Sequence, residues 1–297
     1  MAQASSHPEA LEKERNAVEQ IIATKAYVDN PELLPWYKED IIDLKPETRE
    51  LFEKYCNVPP VDVASHIKNV RDGAFKIFPY PCLGHWGFLE LSIGKSPVYN
   101  ELLDRLKNGD KLLDIGCCLG QAVRKLVQDG APSENIYASD LKKDFWDFGL
   151  DLFLDKATLK TNFIEADIFD ANSGLHQLNG KVDIVWASSF FHLFDWDGQV
   201  KAAKRTIQLL KPAPGSFICG RQGGKADPGT FVHVKKELTS YWHNEESWTK
   251  LWKQVGEETD TKWEVDASLG EEDMSKKLKT NLVPGGTRFL AFTIRRV

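Results

Sequence analysis

The chain has 297 residues, of which 42% are hydrophobic and 28% charged, and its formal net charge is −6. A chain of this length buries enough surface to fold without disulfides or a structural metal, and its five cysteines have no paired spacing. The acidic balance argues against binding to a phosphate backbone, and no apolar run reaches the roughly 18 residues of a membrane span. With its polar N-terminus, which lacks a signal-peptide core, the sequence predicts a cytoplasmic protein with reduced thiols, no membrane span and no nucleic-acid partner.

Before residue 108 the sequence predicts mostly helices. Apolar residues at helical spacing indicate helices over residues 9–27, 48–55 and 61–78. A stretch rich in glycine, proline and aromatic residues follows over 78–88. Ser96 and Pro97 are then predicted to open a helix that runs to Leu106, with serine as the N-cap and proline at the first helical position.

From residue 108 onward predicted strands alternate with predicted helices. The predicted strands cover residues 111–115, 135–139, 162–166, 182–187, 216–220, 262–267 and 288–295. The predicted helices cover residues 121–128, 142–154, 197–210 and 245–255, the third of them capped by Asp195 and Asp197, and a polar loop connects the fifth strand to the last helix. This alternation indicates βαβ units, and therefore an α/β fold with a mainly parallel sheet.

The first strand of this region runs into a glycine loop and then into a helix. The loop reads Asp114-Ile115-Gly116-Cys117-Cys118-Leu119-Gly120. Its glycines let the backbone approach a ligand that a Cβ would push away, and the N-terminus of the following helix offers unpaired N–H groups. The loop alone is a weak indication of a nucleotide-type ligand.

Two further acids stand at the ends of the next two predicted strands. Asp140 lies 20 residues after Gly120, where a carboxylate can accept both hydroxyls of a ribose. Asp167 ends the third strand, where it can accept from an adenine amino group while Ile168 packs on the ring. Any one of these acids alone reads as an ordinary strand-end or capping residue, but the three in order indicate a nucleoside cofactor.

This ordered set resembles the class I S-adenosylmethionine-dependent methyltransferases, whose loop reads acid-x-Gly-x-Gly-x-Gly. Cys118 stands at the middle glycine, and a nicotinamide-binding loop would instead need glycines where Cys118 and Gln121 stand. The resemblance implies a Rossmann-like seven-stranded sheet, five strands parallel and two closing it. It also implies a cofactor site in which Asp114 and Gly116 lie beside the methionine part, Gly120 belongs to the binding loop, Asp140 binds the ribose, Leu141 packs on the adenine, and Asp167 and Ile168 hold its edge and face.

The fourth strand is followed by Ser188-Ser189-Phe190-Phe191-His192. In this family the segment borders cofactor and substrate, so that Ser188 and Ser189 are cofactor-side candidates. His192 is a candidate general base, because its ordinary pKa is about 6.5, although a histidine that packs the following helix is an equal alternative. The Asn-Pro-Pro-aromatic motif of nitrogen- and nucleic-acid-methylating relatives is missing here.

The segment from Tyr80 to Leu89, with the helical N-terminus and the Ser-Ser-Phe-Phe-His run, resembles the fungal methyltransferases of meroterpenoid and aromatic polyketide pathways. Several of those form methyl esters. The resemblance implies that residues 1–107 are a helical cap and substrate region over a cofactor-binding domain, residues 108–297. Tyr80, His85 and Trp86 would then lie near the pocket, unless this stretch is only a rigid connection. Arg221 could pair with a carboxylate, or be a surface arginine.

The sequence therefore predicts an S-adenosylmethionine-dependent O-methyltransferase that esterifies a small hydrophobic acid, aromatic or terpenoid, in secondary metabolism. One alternative is methylation of a phenol with His192 or His85 as the base. Another is a protein that binds the cofactor without turnover, and a nicotinamide oxidoreductase is a distant third. No metal site is predicted, because the cysteines lack partners at ligand spacing. The N-terminal helices leave a homodimer open.

Overall fold

The computed structural model describes residues 8–41, 44–235, 237–277 and 280–297. The helices of the described chain are α1 (Pro8–Ala23), α2 (Pro46–Glu50), α3 (Val63–Ile77), α4 (Pro81–Gly84), α5 (Tyr99–Lys107), α6 (Gln121–Gln128), α7 (Lys143–Phe153), α8 (Trp196–Leu209) and α9 (Glu245–Thr259). The strands are β1 (Leu112–Ile115), β2 (Ile136–Asp140), β3 (Asn162–Glu165), β4 (Ile184–Trp186), β5 (Phe217–Lys225), β6 (Gly229–Val232), β7 (Thr239–Trp242), β8 (Trp263–Leu269) and β9 (Thr287–Arg296). None of the described helices is long and apolar enough to cross a bilayer.

Seven strands form one sheet in the order β3-β2-β1-β4-β5-β9-β8. The first five are parallel, and β9 runs antiparallel to both β5 and β8. The chain winds outward from β1 to β3 and then returns to place β4 on the other side of β1. In an open parallel sheet ligands bind at the carboxyl ends of the strands where the winding reverses, here the ends of β1 and β4. The predicted α/β sheet with two closing strands is confirmed.

Helices cover both faces of the sheet. On one face α9 buries Trp248, Leu251 and Trp252 against β8 and β9, within a core that includes Ile218 and Ile294. The other face packs Leu102 and Leu106 of α5, with Val123 and Leu126 of α6, in a core with Phe217. With apolar layers on both faces, the sheet is a rigid platform for its carboxyl edge.

The N-terminal helices have a separate core that reaches into the sheet half. Phe52, Val63, Ile67 and Phe75 are at most 1% exposed in this cap. The same cluster also takes in Leu119 of the glycine loop and three residues of α7: Phe145, Leu152 and Phe153. The predicted division after residue 107 stays a prediction, because side chains from both sides of it share one core.

The structure corrects the sequence reading of β5 and of the segment after it. β5 continues to Lys225 instead of ending at Gly220, because β9 pairs with it along all nine residues. Two glycines in residues 221–225 gave this extension the composition of a loop. The polar loop predicted after Gly220 contains the hairpin of β6 and β7. Arg221, which the prediction places in that loop, lies inside β5.

Two predicted helix starts are also wrong by a few residues. Ser96 ends a short 3-10 turn, and its carbonyl accepts from Tyr99 N–H at 3.0 Å, so α5 begins at Tyr99. The N-cap of α5 is Val98, which makes no side-chain cap bond, so Ser96 does not cap this helix. Of the two acids predicted to cap α8, Asp195 is the N-cap and its side chain accepts from Gly198 N–H at 2.8 Å, while Asp197 lies in the first turn. Composition alone does not place a helix start to within one or two residues.

Candidate active site at the carboxyl edge of the sheet

The glycine loop joins β1 to α6 in a conformation that two glycines make possible. Gly116 and Gly120 have φ values of +68° and +69°, in the left-handed region that glycine adopts without strain. A Cβ on Gly116 would lie 2.9 Å from the ring of Phe190, and one on Gly120 would lie 2.3 Å from Arg124 Nη1. The loop is therefore held close to its neighbours, as the spacing predicts for a ligand-binding turn.

Asp114 and Asp140 come together behind this loop. Asp114 is 4% exposed, and burial together with the nearby charge of Asp140 raises its pKa to about 8. Asp140 accepts from Cys118 N–H at 2.8 Å and from Lys142 N–H at 3.3 Å. Burial still raises the pKa of Asp140, although these bonds oppose the shift. Each carboxylate oxygen has two lone pairs, so Asp140 keeps capacity for a ligand hydroxyl.

Cys118 explains why the family pattern has a glycine at this position. Its φ is 51°, in the left-handed region, which a residue with a Cβ adopts only at some cost. That conformation directs its N–H to Asp140. Cys118 therefore keeps the loop geometry of the pattern and adds a half-buried thiol, whose pKa desolvation raises.

The ends of β2 and β3 present apolar side chains beside an exposed acid. Leu141 is 59% exposed and Phe169 46%, whereas Ile168 is 6% exposed and packs in the core. Asp167 is exposed and accepts from Phe169 N–H at 2.9 Å. The apolar side chain near Asp167 that reaches the surface is therefore that of Phe169 and not that of Ile168. The sequence did not show this, because a shift of one residue along the chain reverses which side chain faces the solvent.

Beyond β4 the backbone turns sharply towards β5. Ser189 has a φ of 54°, and its N–H donates to the carbonyl of Arg221 at 2.6 Å. Ser188 lies 3.4 Å from Ser92 of the cap, measured between the two Oγ atoms. Phe190, whose role the sequence did not indicate, is the ring packed against Gly116. This segment thus lies between the glycine loop and the cap.

His192 is held in one tautomer by the backbone. Its Nδ1 accepts from Gly223 N–H at 2.6 Å, so the neutral ring carries its proton on Nε2. Burial lowers the pKa of His192 to about 4, with a further contribution from His233. At neutral pH the imidazole is therefore uncharged, with an N–H to donate from Nε2.

Trp242 of β7 lies beside His192, with ring centroids 6.1 Å apart. The indole is 8% exposed, and its Nε1 has no hydrogen-bond partner among the described residues. Phe231 of the same hairpin stacks on it at 4.6 Å. A buried donor without a partner is uncommon and costly, so this N–H is a candidate ligand contact. The sequence contained no signal for it, since the hairpin reads as a loop.

The three candidate pocket residues of the cap segment, Tyr80, His85 and Trp86, lie in different surroundings. Tyr80 packs between Phe78 and Phe145, and burial followed by the nearby Asp140 charge raises its pKa, which places it near the cofactor loop. His85 packs against Gly87.

Trp86 lies in the cap core. It is 9% exposed, its N–H donates to the carbonyl of Asp40 at 2.9 Å, and the Arg71 guanidinium lies 3.5 Å from its ring centre. These contacts give no support for Trp86 as a substrate contact.

Arg221 connects the sheet to the cap. Its Nη2 lies 3.0 Å from Glu90 Oε2, and its guanidinium lies 4.0 Å from the ring centre of Phe289. A substrate carboxylate would have to compete with Glu90 for this charge. Among the described residues no group of three or more histidines, cysteines or acids is placed to hold a metal ion.

The residues at this edge fit S-adenosylmethionine. A carboxylate with spare lone pairs, Asp140, faces the glycine loop and suits hydroxyls. A buried acid without an ion-pair partner among the described residues, Asp114, suits an ammonium group. Exposed apolar side chains at the ends of β2 and β3 suit a flat base. These features come from different strands, and the sheet topology brings them to one edge.

Comparisons with known proteins agree with this geometry. Residues 36–89 match the meroterpenoid methyltransferase N-terminal domain, and residues 112–213 match a methyltransferase domain. The O-methyltransferase phiE of Fungal sp. (strain ATCC 74256) is 44% identical over 289 residues, which cover 90% of this chain and 96% of that protein. The asnovolin E/chermesin D methyltransferase nvfJ of Aspergillus novofumigatus is 45% identical over 222 residues, 73% of this chain and 79% of that protein.

A solved structure gives the same fold at low identity. The 1,6-didemethyltoxoflavin-N1-methyltransferase of Burkholderia thailandensis, solved with S-adenosylhomocysteine, aligns with a TM-score of 0.51 and 13% identity, over 81% of this chain and 91% of that chain. The predicted enzyme class and cofactor are confirmed. The chain belongs to the S-adenosylmethionine-dependent methyltransferases, in the family of fungal enzymes that carry the meroterpenoid methyltransferase N-terminal domain.

Proposed function

We propose that this enzyme transfers the methyl group of S-adenosylmethionine to the carboxylate of a small hydrophobic acid, aromatic or terpenoid, and releases a methyl ester. The observation that carries this proposal is the bond from Gly223 N–H to His192 Nδ1 at 2.6 Å. With Nδ1 occupied and the proton on Nε2, His192 is arranged to donate a hydrogen bond. An acceptor that is already ionised needs such a donor and needs no base.

The electrostatics of His192 support the same choice. A phenol has a pKa of about 10 and must lose its proton to react. An imidazole whose pKa burial lowers to about 4 is poorly matched to remove it. A carboxylic acid, with a pKa of about 4, is ionised at neutral pH. The alternative in which His192 is the base for a phenol is therefore the weaker one.

The residues around His192 supply what a carboxylate acceptor needs. The Nε2–H of His192 and the Nε1–H of Trp242 are two neutral donors on neighbouring elements, and a carboxylate has two oxygens to accept them. The aromatic rings of Phe231 and Trp242 provide apolar surface for a hydrophobic acid. On the cofactor side, Asp140 would accept from the ribose hydroxyls, and Asp114 would lie beside the ammonium group.

S-adenosylmethionine supplies the activated methyl group when bound. The protein holds the two reactants in line and excludes water, which converts a bimolecular step into an effectively unimolecular one. His192 and Trp242 fix the carboxylate so that one oxygen faces the methyl carbon. No proton moves to or from the acceptor during the transfer.

The proposal is tested by incubating the enzyme and S-adenosylmethionine with matched aromatic and terpenoid acids and phenols. The products are read by mass spectrometry and then by alkaline hydrolysis, which cleaves esters and leaves aryl ethers. We expect product from acids alone, with kcat independent of pH between 6 and 9 at saturating substrates. Product from phenols alone, with kcat rising through that range, would refute the proposal, and cofactor binding without product from any acceptor would favour the silent binding protein.

Variants of His192 separate the donor from the base. Losing a hydrogen bond to a charged group costs about 1.5–3 kcal/mol, so His192→Ala should lower kcat/KM for the acid by about 10- to 100-fold. His192→Gln carries an amide N–H and should recover part of that loss. If His192 is instead a base, both variants fall together, by about 10²- to 10⁴-fold.

A further inference from the structure

A buried ion pair outside the proposed active site joins the cofactor loop to the cap. Arg124 of α6 and Asp155, just after α7, are 0% and 3% exposed. Arg124 donates to Asp155 twice, from Nε at 2.8 Å and from Nη2 at 3.0 Å. A buried pair with two parallel bonds is geometrically specific, and removing one partner leaves an uncompensated buried charge.

The third nitrogen of Arg124 is directed at the cofactor loop. Nη1 lies 3.3 Å from the carbonyl of Leu119 and 3.4 Å from that of Gly120. The guanidinium is also 4.3 Å from the ring centre of Trp146 and 5.1 Å from that of Phe153. Arg124 is therefore held on several sides while it holds the last two residues of the loop.

The other end of the ion pair reaches the cap through one hydroxyl. Tyr55 Oη donates to Asp155 Oδ2 at 2.8 Å, across 100 residues of sequence. Tyr55 ends a π-helical turn, Leu51–Tyr55, that continues α2. Such turns are rare and occur frequently at functional sites. The chain of contacts runs from the cap turn through Tyr55, Asp155 and Arg124 to the loop carbonyls.

Apolar contacts run beside this polar chain. Phe52, in the same π-helical turn, stacks on Phe153 of α7 with ring centroids 5.5 Å apart. Leu119 of the loop is fully buried in the cap core. The loop and the cap turn are thus joined by packing as well as by hydrogen bonds.

We propose that Arg124 is a positioning residue for the cofactor loop and that Tyr55 makes its position depend on the cap. The inference rests on the assignment of the Gly116–Gly120 loop to S-adenosylmethionine, and it does not depend on the chemistry of the acceptor. Cofactor affinity and the order of the cap turn are then coupled, and by linkage each strengthens the other.

The test uses two tyrosine variants of the full-length enzyme. Tyr55→Phe removes the hydroxyl at the cap end of the network and leaves the ring. Tyr99→Phe is the matched control, because Tyr99 also donates to a carboxylate, that of Asp129 at the opposite end of α6. Kd for S-adenosylhomocysteine by calorimetry, KM for S-adenosylmethionine, kcat and Tm are measured for both.

We expect Tyr55→Phe to raise Kd and KM for the cofactor about fivefold or more, with kcat at saturation unchanged, while Tyr99→Phe leaves Kd and KM as in the wild type. Equal Kd values in the two variants would overturn the proposal, whatever their Tm. Because calorimetry needs no acceptor, this result is independent of whether the product is an ester.

Two further measurements separate positioning from general stability. S-adenosylhomocysteine should slow amide hydrogen exchange over residues 51–55 in the wild type and in Tyr99→Phe, and much less in Tyr55→Phe. Arg124→Lys and Tyr55→Phe combined should be non-additive in cofactor Kd, because both act through one network. If S-adenosylhomocysteine slows amide exchange over residues 51–55 as much in Tyr55→Phe as in the wild type, the proposal is contradicted. This test holds even if Arg124→Lys fails to fold.

Discussion

Buried polar groups have different numbers of partners at the carboxyl edge of the sheet and in the core of the cap. In the cap, Arg71 is fully buried, donates to the carbonyls of Gly84 and Lys38 at 3.1 and 3.0 Å, and lies 2.8 Å from Asp72. At the sheet edge, Asp114 forms no ion pair among the described residues, and burial raises its pKa although the charge of Arg124 opposes the shift.

Trp242 at the same edge keeps an N–H with no partner among the described residues. Trp248 and Trp252 of the sheet core also have buried N–H groups without a partner among the described residues. An unpartnered donor is therefore a candidate ligand contact only where, as at Trp242, a second donor lies beside it, here the imidazole of His192.

The largest effect on cofactor affinity is expected from a substitution at Gly120, where the glycine loop has no space for a side chain. In Gly120→Ala the new Cβ would lie 2.3 Å from Arg124 Nη1 and 2.6 Å from the ring of Trp146, at a φ of +69°. The loop must move, so the affinity for S-adenosylhomocysteine should fall at least about a hundredfold, or about 2.7 kcal/mol, as measured by calorimetry.

Gly215→Ala is the control, because it has a φ of +85° but nothing within 4 Å of the new Cβ. It should cost about 1–2 kcal/mol of unfolding free energy and leave affinity unchanged. Equal affinities in the two variants would remove the loop from the site.

The next effect concerns the acid that faces the loop. Asp140→Ala should weaken cofactor binding by about 1.5–3 kcal/mol, or about 10- to 100-fold, through loss of charge-assisted hydrogen bonds. Asp140→Asn keeps an acceptor for Cys118 N–H and should fall in between.

The comparison variant is Asp167→Ala, in which cofactor affinity should fall less than in Asp140→Ala. Asp167 is exposed, so its hydrogen bonds compete with water. An unchanged Kd in Asp140→Ala would exclude Asp140 from the cofactor site.

These acids were predictable because their positions depend on local spacing. Asp114, Asp140 and Asp167 lie at the end of β1, at the end of β2 and just beyond β3, and strand ends in a parallel sheet meet at one edge. The long β5 was not predictable, since it depends on pairing with β9, about 70 residues later.

The roles of Trp86 and Trp242 were not predictable from the sequence either, because their contacts with Arg71 and His192 form only in the folded chain. Spacing thus identifies residues on one strand end, and tertiary contacts decide which aromatic side chains are free for ligands.

A smaller effect is expected in the pH dependence of cofactor binding. With a pKa of about 8 in the free enzyme, Asp114 is protonated at neutral pH. The ammonium group of the cofactor favours the ionised form, so binding releases a proton. Affinity should therefore rise with pH below about 8, by at most about tenfold per unit, and level off above it.

Calorimetry in two buffers of different ionisation enthalpy measures this proton. Asp114→Asn should flatten the profile. A wild-type affinity that is independent of pH between 6 and 8 would show that Asp114 is already ionised or lies away from the ammonium group.

The smallest effect on activity is expected in the cap and tests the opening contrast most directly. Trp86 and Trp242 are 9% and 8% exposed, but only Trp86 has its N–H bonded, to Asp40 O. Trp86→Phe should lower the unfolding free energy by about 1–2 kcal/mol, from the lost hydrogen bond and the weakened contact with Arg71, and leave the acceptor KM unchanged.

Trp242→Phe should do the reverse, raising the acceptor KM about tenfold with little change in stability, because its N–H has no protein partner to lose. Urea unfolding and steady-state kinetics on both variants measure the two quantities. If both tryptophans change stability alike and neither changes KM, unused bonding capacity does not identify the acceptor site in this enzyme.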